Sequence, residues 1–97
     1  MTRIIWSPQS FRDLQSILGY IALDSTLYAD LVVRRIVDSV ERLARFPESG
    51  RIVPERADPI LREVIVRPYR IVYRLRGGAA EIVTVFHAAR LFPLALG

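Results

Sequence analysis

Arginine recurs on one face of a predicted strand in the C-terminal half of the chain. Residues 69–76 alternate between two sides of that strand, and one side carries Arg70, Arg74 and Arg76. Guanidinium groups bind phosphate or carboxylate in a fork geometry, so this stripe is a candidate anion-binding surface. The alternative is a solvated sheet face whose arginines pair across strands with Glu63 and Glu81. That alternative is favoured for Arg76, which lies beside a Gly-Gly turn.

The single histidine, His87, is predicted to end the last strand, three residues before Arg90. Histidine has the chemistry of a general acid or base at neutral pH. A structural or surface role is commoner for a lone histidine and is favoured here. The tail that follows, residues 91–96, is strongly apolar. It either packs against the sheet or offers a surface to a partner, and we expect the second role to contribute.

Composition excludes many kinds of site. The 97-residue chain has no cysteine and one histidine, which excludes disulfides, thiolate sites and histidine-clustered metal sites. It has no glycine-rich phosphate loop, and we expect neither cofactor nor metal. A hydrophobic content of 52% is too high for disorder. No apolar run approaches the roughly 18–20 residues that span a bilayer, and no signal core opens the chain, so we expect a cytoplasmic protein without a membrane partner.

Charge is distributed unevenly along the chain. All 14 basic residues are arginine, a preference that the coding bias of a G+C-rich genome would explain. Residues 1–50 hold six arginines and six acidic residues, whereas residues 51–97 hold eight and four. The whole net charge of +4 therefore belongs to the second half, which indicates an acidic or polyanionic partner.

Hydrophobic periodicity predicts the elements that position these groups. We expect a strand at 3–6, helices at about 8–23 and 26–46, a loop at 51–60, and strands at 61–66, 69–76 and 80–88. Gly19 lies inside the first helix, where glycine is unfavourable, and is expected to mark a close helix crossing. The order β-α-α-β-β-β predicts one α+β domain over residues 1–97, with a helical hairpin packed on a small, mainly antiparallel sheet.

These residues resemble the RelE/ParE superfamily of type II toxins, and the resemblance runs nearly end to end. The segments that carry it are Ile5-Trp6-Ser7-Pro8, 11–17, 20–22, 43–47, Gly50-Arg51, 62–64, 69–74 and 85–90. Each segment is weakly specific, but their order and spacing in a chain of this size are fairly specific. The resemblance implies the β-α-α-β-β-β fold and a small cognate antitoxin with an acidic tail and a DNA-binding domain.

The RelE-like branch of the superfamily resembles ribosome-dependent messenger RNA endonucleases. The resemblance matches Arg70 to the arginine of the family's Tyr-Arg-x-x-Tyr strand and Arg90 to an arginine after the last strand. The lysines of the preceding strand have no counterpart, since Leu61 and Glu63 fall near those positions, and the C-terminal tyrosine is missing. A nuclease would therefore rely on Arg70 and Arg90, with His87 as its proton-transfer group.

The other branch resembles ParE inhibitors of DNA gyrase, which bind the enzyme's cleaved-DNA complex and perform no chemistry. The Trp-Ser-Pro opening, the Gly-Arg loop and the closing His-Ala-Ala-Arg favour this branch. A degenerate member that binds only its antitoxin is a third alternative. Under the ParE-like interpretation, the residues expected to bind the target or the antitoxin are Arg62, Arg67, Arg70, Arg74, His87, Arg90, Leu91 and Phe92.

Overall fold

The computed structural model describes residues 1–93 and 96 and confirms the α+β class. The elements in chain order are β1 (Arg3–Trp6), α1 (Pro8–Ala22), α2 (Thr26–Glu41), a 3-10 helix (Arg42–Ala44), β2 (Arg51–Ile52), β3 (Leu61–Val66), β4 (Tyr69–Arg76) and β5 (Ala79–His87).

Serine is the N-cap residue of both helices. The Ser7 hydroxyl accepts a hydrogen bond from the Ser10 amide, and the Ser25 hydroxyl accepts one from the Tyr28 amide. Each cap satisfies an amide at a helix start that has no partner inside the helix. The second helix ends at Glu41 and tightens into the 3-10 turn, short of the predicted residue 46. Pro47 disfavours helical backbone in the residue before it, so the chain cannot continue as a helix past Phe46.

The five strands form one mixed sheet in the order β1-β5-β4-β3-β2. β1 runs parallel to β5, and the other neighbouring pairs are antiparallel. The prediction of a loop at 51–60 is wrong for its first two residues, because Arg51 and Ile52 pair with Glu63 and Arg62 as a short edge strand. A two-residue strand shows too little alternation to be recognised from sequence.

The helical hairpin covers one face of the sheet, as expected. The buried cluster beneath it consists of Val32, Ile36, Val40, Leu43, Tyr69, Ile71, Tyr73, Ala80, Ile82 and Val85. Tyr69, Ile71 and Tyr73 come from β4 and share this face, so the predicted alternation along that strand is confirmed. The arginine stripe therefore lies on the opposite face of the sheet.

That outer face carries a smaller apolar cluster of its own. Its buried members are Val53, Leu61, Val72, Val83 and Phe86, and Phe92 and Leu96 of the tail pack against them. The segment after β2 thus supplies a fully buried core residue, Val53, within the range that was predicted to be a loop. Of the two roles expected for the tail, packing against the sheet holds for Phe92 and Leu96, whereas Leu91 is exposed. Residues 94, 95 and 97 lie outside the described residues.

The position that sterically requires glycine is Gly50, not Gly19. A Cβ on Gly50 would lie 2.5 Å from the Tyr73 hydroxyl oxygen and 2.7 Å from the Glu63 carbonyl oxygen. A Cβ on Gly19 would meet nothing within 4 Å, so the predicted close crossing is wrong. Gly50 instead allows the loop after the 3-10 helix to approach the sheet closely.

Within residues 1–93 and 96, no helix is both long enough and apolar enough to cross a membrane.

Candidate functional site

Arg70 is held on the outer face of the sheet by two carboxylates. Its Nε donates to Oε1 of Glu63 at 2.6 Å. Its two terminal nitrogens donate to the two carboxylate oxygens of Glu55 at 2.9 and 2.8 Å, which is a bidentate pair. Arg70 is only 8% exposed. The charge that the sequence offered to an anionic ligand is therefore already engaged inside the protein.

Glu63 is shared between two arginines. Its second oxygen, Oε2, accepts from Nε of Arg51 at 2.6 Å, and Glu63 itself is 1% exposed. Arg51 and Glu63 are paired neighbours on β2 and β3, whereas Glu55 comes from the segment after β2. Two arginines and two glutamates thus form a network whose formal charges cancel.

The network shifts the ionisation of Glu55 and Arg70 towards their charged forms. Hydrogen bonds from Arg70 lower the pKa of Glu55 to about 2, although burial acts in the opposite direction. The hydrogen bonds to Glu55, together with those to Glu63, raise the pKa of Arg70 further above its ordinary value. Arg70 therefore remains a cation and has no proton to exchange at neutral pH.

Two phenylalanines cover the Arg70 guanidinium. Its central carbon lies 5.3 Å from the ring centroid of Phe86 and 5.3 Å from that of Phe92. Arg56 lies 5.6 Å from the Phe92 ring centroid in the same way. These cation–π contacts attach the tail to the outer face, so Phe92 is a packing residue in this structure.

The other candidate arginines divide into paired and unpaired groups. Arg74 pairs with Glu81, its direct cross-strand neighbour, at 3.1 Å. Arg62 donates to the carbonyl oxygens of residues 48, 50 and 59 and so holds the surrounding loops. Arg67 is exposed between β3 and β4, and its side chain has no hydrogen-bond or ion-pair partner among residues 1–93 and 96.

His87 and Arg90 lie together at the end of β5. The exposed His87 ring accepts the Ala89 amide hydrogen at Nδ1, 3.0 Å away, so a neutral ring carries its proton on Nε2. The ring packs edge-on against Tyr69 with centroids 5.8 Å apart, and burial raises the pKa of the Tyr69 hydroxyl. The Arg90 guanidinium has no partner among the described residues. Leu91 beyond it is 93% exposed.

A groove between α1 and the end of β5 contains both His87 and Arg90. One cavity of the groove, of about 450 Å³, is lined by Asp13, Ser16, Ile17, Tyr20, Tyr69, Val85, Phe86, His87 and Arg90. A second cavity of about 480 Å³ shares Asp13, Phe86 and Arg90 with it and is also lined by Arg12 and Pro93. We call the two adjoining cavities the α1–β5 groove.

Asp13 is a residue of this groove that the sequence analysis did not identify. Its Oδ2 accepts the Thr84 hydroxyl at 2.6 Å and the Val85 amide at 3.0 Å. The pairing of β1 with β5 ends at Ile82. Beyond that point, Asp13 accepts the hydrogen bond of a β5 amide that has no strand partner on this side. The sequence signal for Asp13 was an acidic residue beside the apolar stripe of α1. Ordinary solvent-exposed acidic residues show the same pattern, so the signal does not distinguish Asp13 from them.

The structure does not bring Arg70, Arg90 and His87 into one cavity. Arg70 lines a separate concavity of about 570 Å³ with Arg51, Ile65, Arg67, Pro68 and Ala88, which we call the basic concavity. Phe86 contacts Arg70 and also lines the α1–β5 groove. No group of three carboxylate or histidine side chains in residues 1–93 and 96 is placed to hold a metal ion.

The helical hairpin leaves large apolar side chains exposed around its tip. They are Tyr20, Leu23, Leu27, Tyr28 and Leu31. Tyr20, which is 76% exposed, also lines the α1–β5 groove, so the apolar tip continues into that groove. A group of large exposed apolar side chains of this kind is typical of a protein interface.

Comparison with known proteins places the chain in a family. Residues 4–92 match the ParE toxin family of the type II parDE toxin–antitoxin systems. The chain is 38% identical over 92 residues to Toxin RelE2 of Caulobacter vibrioides, covering 94% of this chain and 100% of that protein. It is 40% identical over 96 residues to Putative toxin Y4kP of Sinorhizobium fredii, covering 97% and 96%.

The fold also matches a solved structure, that of the chromosomal ParDE toxin–antitoxin system from P. aeruginosa. The TM-score is 0.74 at 23% identity, with 90% of this chain and 96% of that chain covered. The family match spans nearly all of the described chain, and both relatives are aligned over almost their whole length. The protein belongs to the ParE toxin family and is a toxin of the RelE/ParE superfamily of type II toxin–antitoxin systems.

Proposed function

We propose that this toxin arrests growth by binding DNA gyrase, without chemistry of its own, and that a cognate antitoxin neutralises it. The observation that carries the proposal is the state of Arg70. A nuclease would need that guanidinium free to stabilise the charge that develops on a phosphate. Here Glu55 and Glu63 occupy its hydrogen-bonding edge, and Phe86 and Phe92 cover it.

The placement of proton-transfer groups also favours binding over catalysis. Cleavage by a 2′-hydroxyl needs a base for that hydroxyl and an acid for the leaving oxygen. Histidine is the side chain best suited to proton transfer, but His87 lies in the α1–β5 groove and Arg70 lies in the basic concavity. Arginine remains protonated at neutral pH and cannot replace a base.

The basic concavity is the surface that we assign to the target. Arg67 is exposed at its rim without an ionic partner among the described residues, and Ile65 beside it is an exposed apolar side chain. Arg51 remains partly exposed although it pairs with Glu63. Such a basic surface with an apolar edge suits a complex of protein and cleaved DNA.

The antitoxin is assigned to the helical hairpin and the adjoining sheet edge. The exposed apolar tip of the hairpin suits an amphipathic helix or an extended segment. The net charge of +4 favours an acidic antitoxin segment, because opposite charge accelerates association. The surface assigned to the target and the surface assigned to the antitoxin are then largely different parts of the toxin.

A gyrase supercoiling assay tests the proposed target. Purified wild-type toxin should inhibit supercoiling of relaxed plasmid or accumulate cleaved DNA, and added antitoxin should restore activity. Arg67→Glu should weaken inhibition, whereas Arg76→Glu, an exposed arginine outside the basic concavity, should not. Full supercoiling in the presence of excess wild-type toxin would refute the gyrase assignment.

Messenger RNA cleavage is the second candidate. The observations that favour it are the name of one relative, Toxin RelE2, and an open groove that holds His87 beside Arg90. Incubation with translating ribosomes would then yield codon-dependent cleavage that is lost in His87→Ala and Arg90→Ala. Intact message in that assay, together with gyrase inhibition, would exclude this candidate. Expression without antitoxin that leaves growth unharmed would instead favour a degenerate member.

A further inference from the structure

Arg51 presents a free guanidinium fork at the basic concavity. Its Nε donates to Oε2 of Glu63 at 2.6 Å, and the Glu63 side chain is 0% exposed. The two terminal nitrogens of Arg51 have no hydrogen-bond partner among residues 1–93 and 96, and 59% of the side chain is exposed. The buried carboxylate therefore holds one edge of this guanidinium and leaves its terminal nitrogens available to an anion.

Arg67 supplies a second free guanidinium to the same concavity. It is exposed after the end of β3, and its side chain has no hydrogen-bond or ion-pair partner in the described part of the chain. Arg51 lies directly opposite Glu63 of β3, and Arg67 follows Glu63 by four residues. At about 3.3 Å per residue, the two arginines are anchored roughly 13 Å apart along the strand direction.

The charge of the basic concavity is not opposed by a free carboxylate among the described residues. Its charged lining residues are Arg51, Arg67 and Arg70, all of them cationic. The neighbouring carboxylates are already engaged, because Glu63 is buried between two arginines and both oxygens of Glu55 accept from Arg70. An anion bound by Arg51 and Arg67 therefore leaves the buried network intact.

We propose that the basic concavity binds the phosphodiester backbone of duplex DNA, with Arg51 and Arg67 on different phosphates of one strand. Phosphates rise by about 3.4 Å per nucleotide along the duplex axis, so a strand of regularly spaced charges engages both guanidiniums at once. The inference rests on the gyrase function proposed above. It assigns the DNA of the gyrase complex, as distinct from the gyrase protein, to this surface.

The uncharged lining residues suit contact with a backbone and not the reading of bases. They are Ile65, Pro68 and Ala88, and none of them has a side-chain donor or acceptor. Recognition of a base requires such groups at its edge. We therefore expect binding without sequence preference, and an affinity that falls as salt rises because each phosphate contact releases counterions.

Fluorescence anisotropy with a labelled duplex of about 20 base pairs tests the proposal. Wild-type toxin should bind this duplex, and Arg67→Ala should raise the Kd about five- to tenfold at about 0.1 M salt. The same variant should lower the slope of log Kd against log salt concentration by about one, since one phosphate contact is lost. Arg76→Ala is the matched control. It removes the same charge from an exposed position outside the concavity and should change the Kd less than about twofold.

Lysine substitutions test the anchored fork of Arg51. Arg51→Lys keeps the charge but cannot bind Glu63 and a phosphate through one rigid group, so we expect the Kd to rise about threefold. Arg67→Lys, at a position without an anchoring carboxylate among the described residues, should stay within about twofold of wild type. Thermal unfolding verifies that each variant is folded, and the exposed Arg67 position decides the outcome if the Arg51 variant is not.

Two results in the anisotropy experiment would overturn the inference. One is the absence of duplex binding by wild-type toxin, or an equal loss in Arg67→Ala and Arg76→Ala, which would reduce binding to overall charge. The other is tighter binding of single-stranded RNA of the same length with the same dependence on Arg67, which would assign the concavity to a messenger RNA.

The gyrase supercoiling assay separates this inference from the proposed function. If wild-type toxin inhibits gyrase and Arg67→Ala weakens inhibition without changing duplex binding, the concavity contacts the gyrase protein and only the inference is overturned. If wild-type toxin binds the duplex through Arg67 and leaves supercoiling unaffected, the gyrase assignment is refuted and the DNA site stands.

Discussion

The two faces of the sheet are buried in different ways. Under the helices, the sheet is covered by an apolar cluster from α2, β4 and β5. On the outer face, a smaller apolar cluster lies beside a network that buries Arg70 and Glu63 together. On an apolar face, the loss of stability grows with the size of the side chain that is removed. In a buried ion network, removal of one partner is strongly destabilising because it leaves an uncompensated buried charge. The same strand, β4, supplies both faces through simple alternation.

Glu63→Gln should produce the largest effect, because it leaves Arg70 buried with only one carboxylate. We expect the free energy of unfolding to fall by about 3–5 kcal/mol, measured by urea denaturation. Glu81→Gln, which breaks the more exposed pair with Arg74, should cost about 1 kcal/mol or less. Equal losses in the two variants would contradict the distinction between the buried network and the exposed pair.

Tyr73→Phe tests the polar group of the helix-covered face. The Tyr73 hydroxyl donates to the Pro47 carbonyl oxygen at 2.7 Å and accepts from the Gly50 amide at 3.0 Å. Its removal leaves both backbone groups without this partner and should cost about 1–3 kcal/mol in the same denaturation experiment. A loss near zero would show that water replaces the hydroxyl at the rim of the sheet.

Gly50→Ala and Gly19→Ala should act in opposite directions. The Cβ added at Gly50 meets the Tyr73 hydroxyl and the Glu63 backbone, so we expect a loss of about 1–3 kcal/mol. Gly19 is exposed in α1 with open space around it, and alanine there should stabilise the protein by up to about 1 kcal/mol. Thermal denaturation of the two variants checks both signs, and stabilisation by alanine at Gly50 would contradict the close approach described here.

The smallest expected effect concerns pH and Glu55. Its pKa is lowered from 4.5 to about 2 in the folded protein, so its contribution is present above about pH 4.5 and is lost as the pH falls towards 2. The Glu55 side chain is 41% exposed, so solvent screening limits that contribution to about 1 kcal/mol or less. The difference in unfolding free energy between wild type and Glu55→Gln should therefore shrink across that window, and a constant difference would mean that charge is not its cause.

The elements were predictable because their signals are local. Caps at Ser7 and Ser25, apolar stripes and alternation along β4 each depend on residues a few positions apart. The features that were missed depend on distant contacts. The two-residue strand β2 exists because β3 lies beside it, and Val53 is buried because the chain after β2 folds back over the outer face.

The cross-strand ion pairs of the candidate site could be predicted from the sequence, whereas the contacts made by loop and helix residues could not. The cross-strand partners Glu63 and Glu81 were anticipated as the alternative to an anion-binding stripe, and the structure has Arg70 and Arg74 paired with them. The bidentate pair with Glu55 was not anticipated, because a loop residue carries no periodic signal that aims its side chain. Asp13 was overlooked for a related reason, since its contacts with Thr84 and Val85 join two ends of the chain.

By itself, the sequence determined the helical hairpin, the identity of the long strands, the division of the β4 side chains between two faces, and the concentration of net charge after Gly50. Only the tertiary structure decided which arginines are neutralised and which remain unpaired among the described residues. Arg70 and Arg90 look equivalent as basic residues in a basic half-chain, yet one is enclosed by carboxylates and aromatic rings and the other lines an open groove. The physical reason is that charge is a property of a residue, whereas pairing and burial depend on where loops and the chain ends close over the sheet.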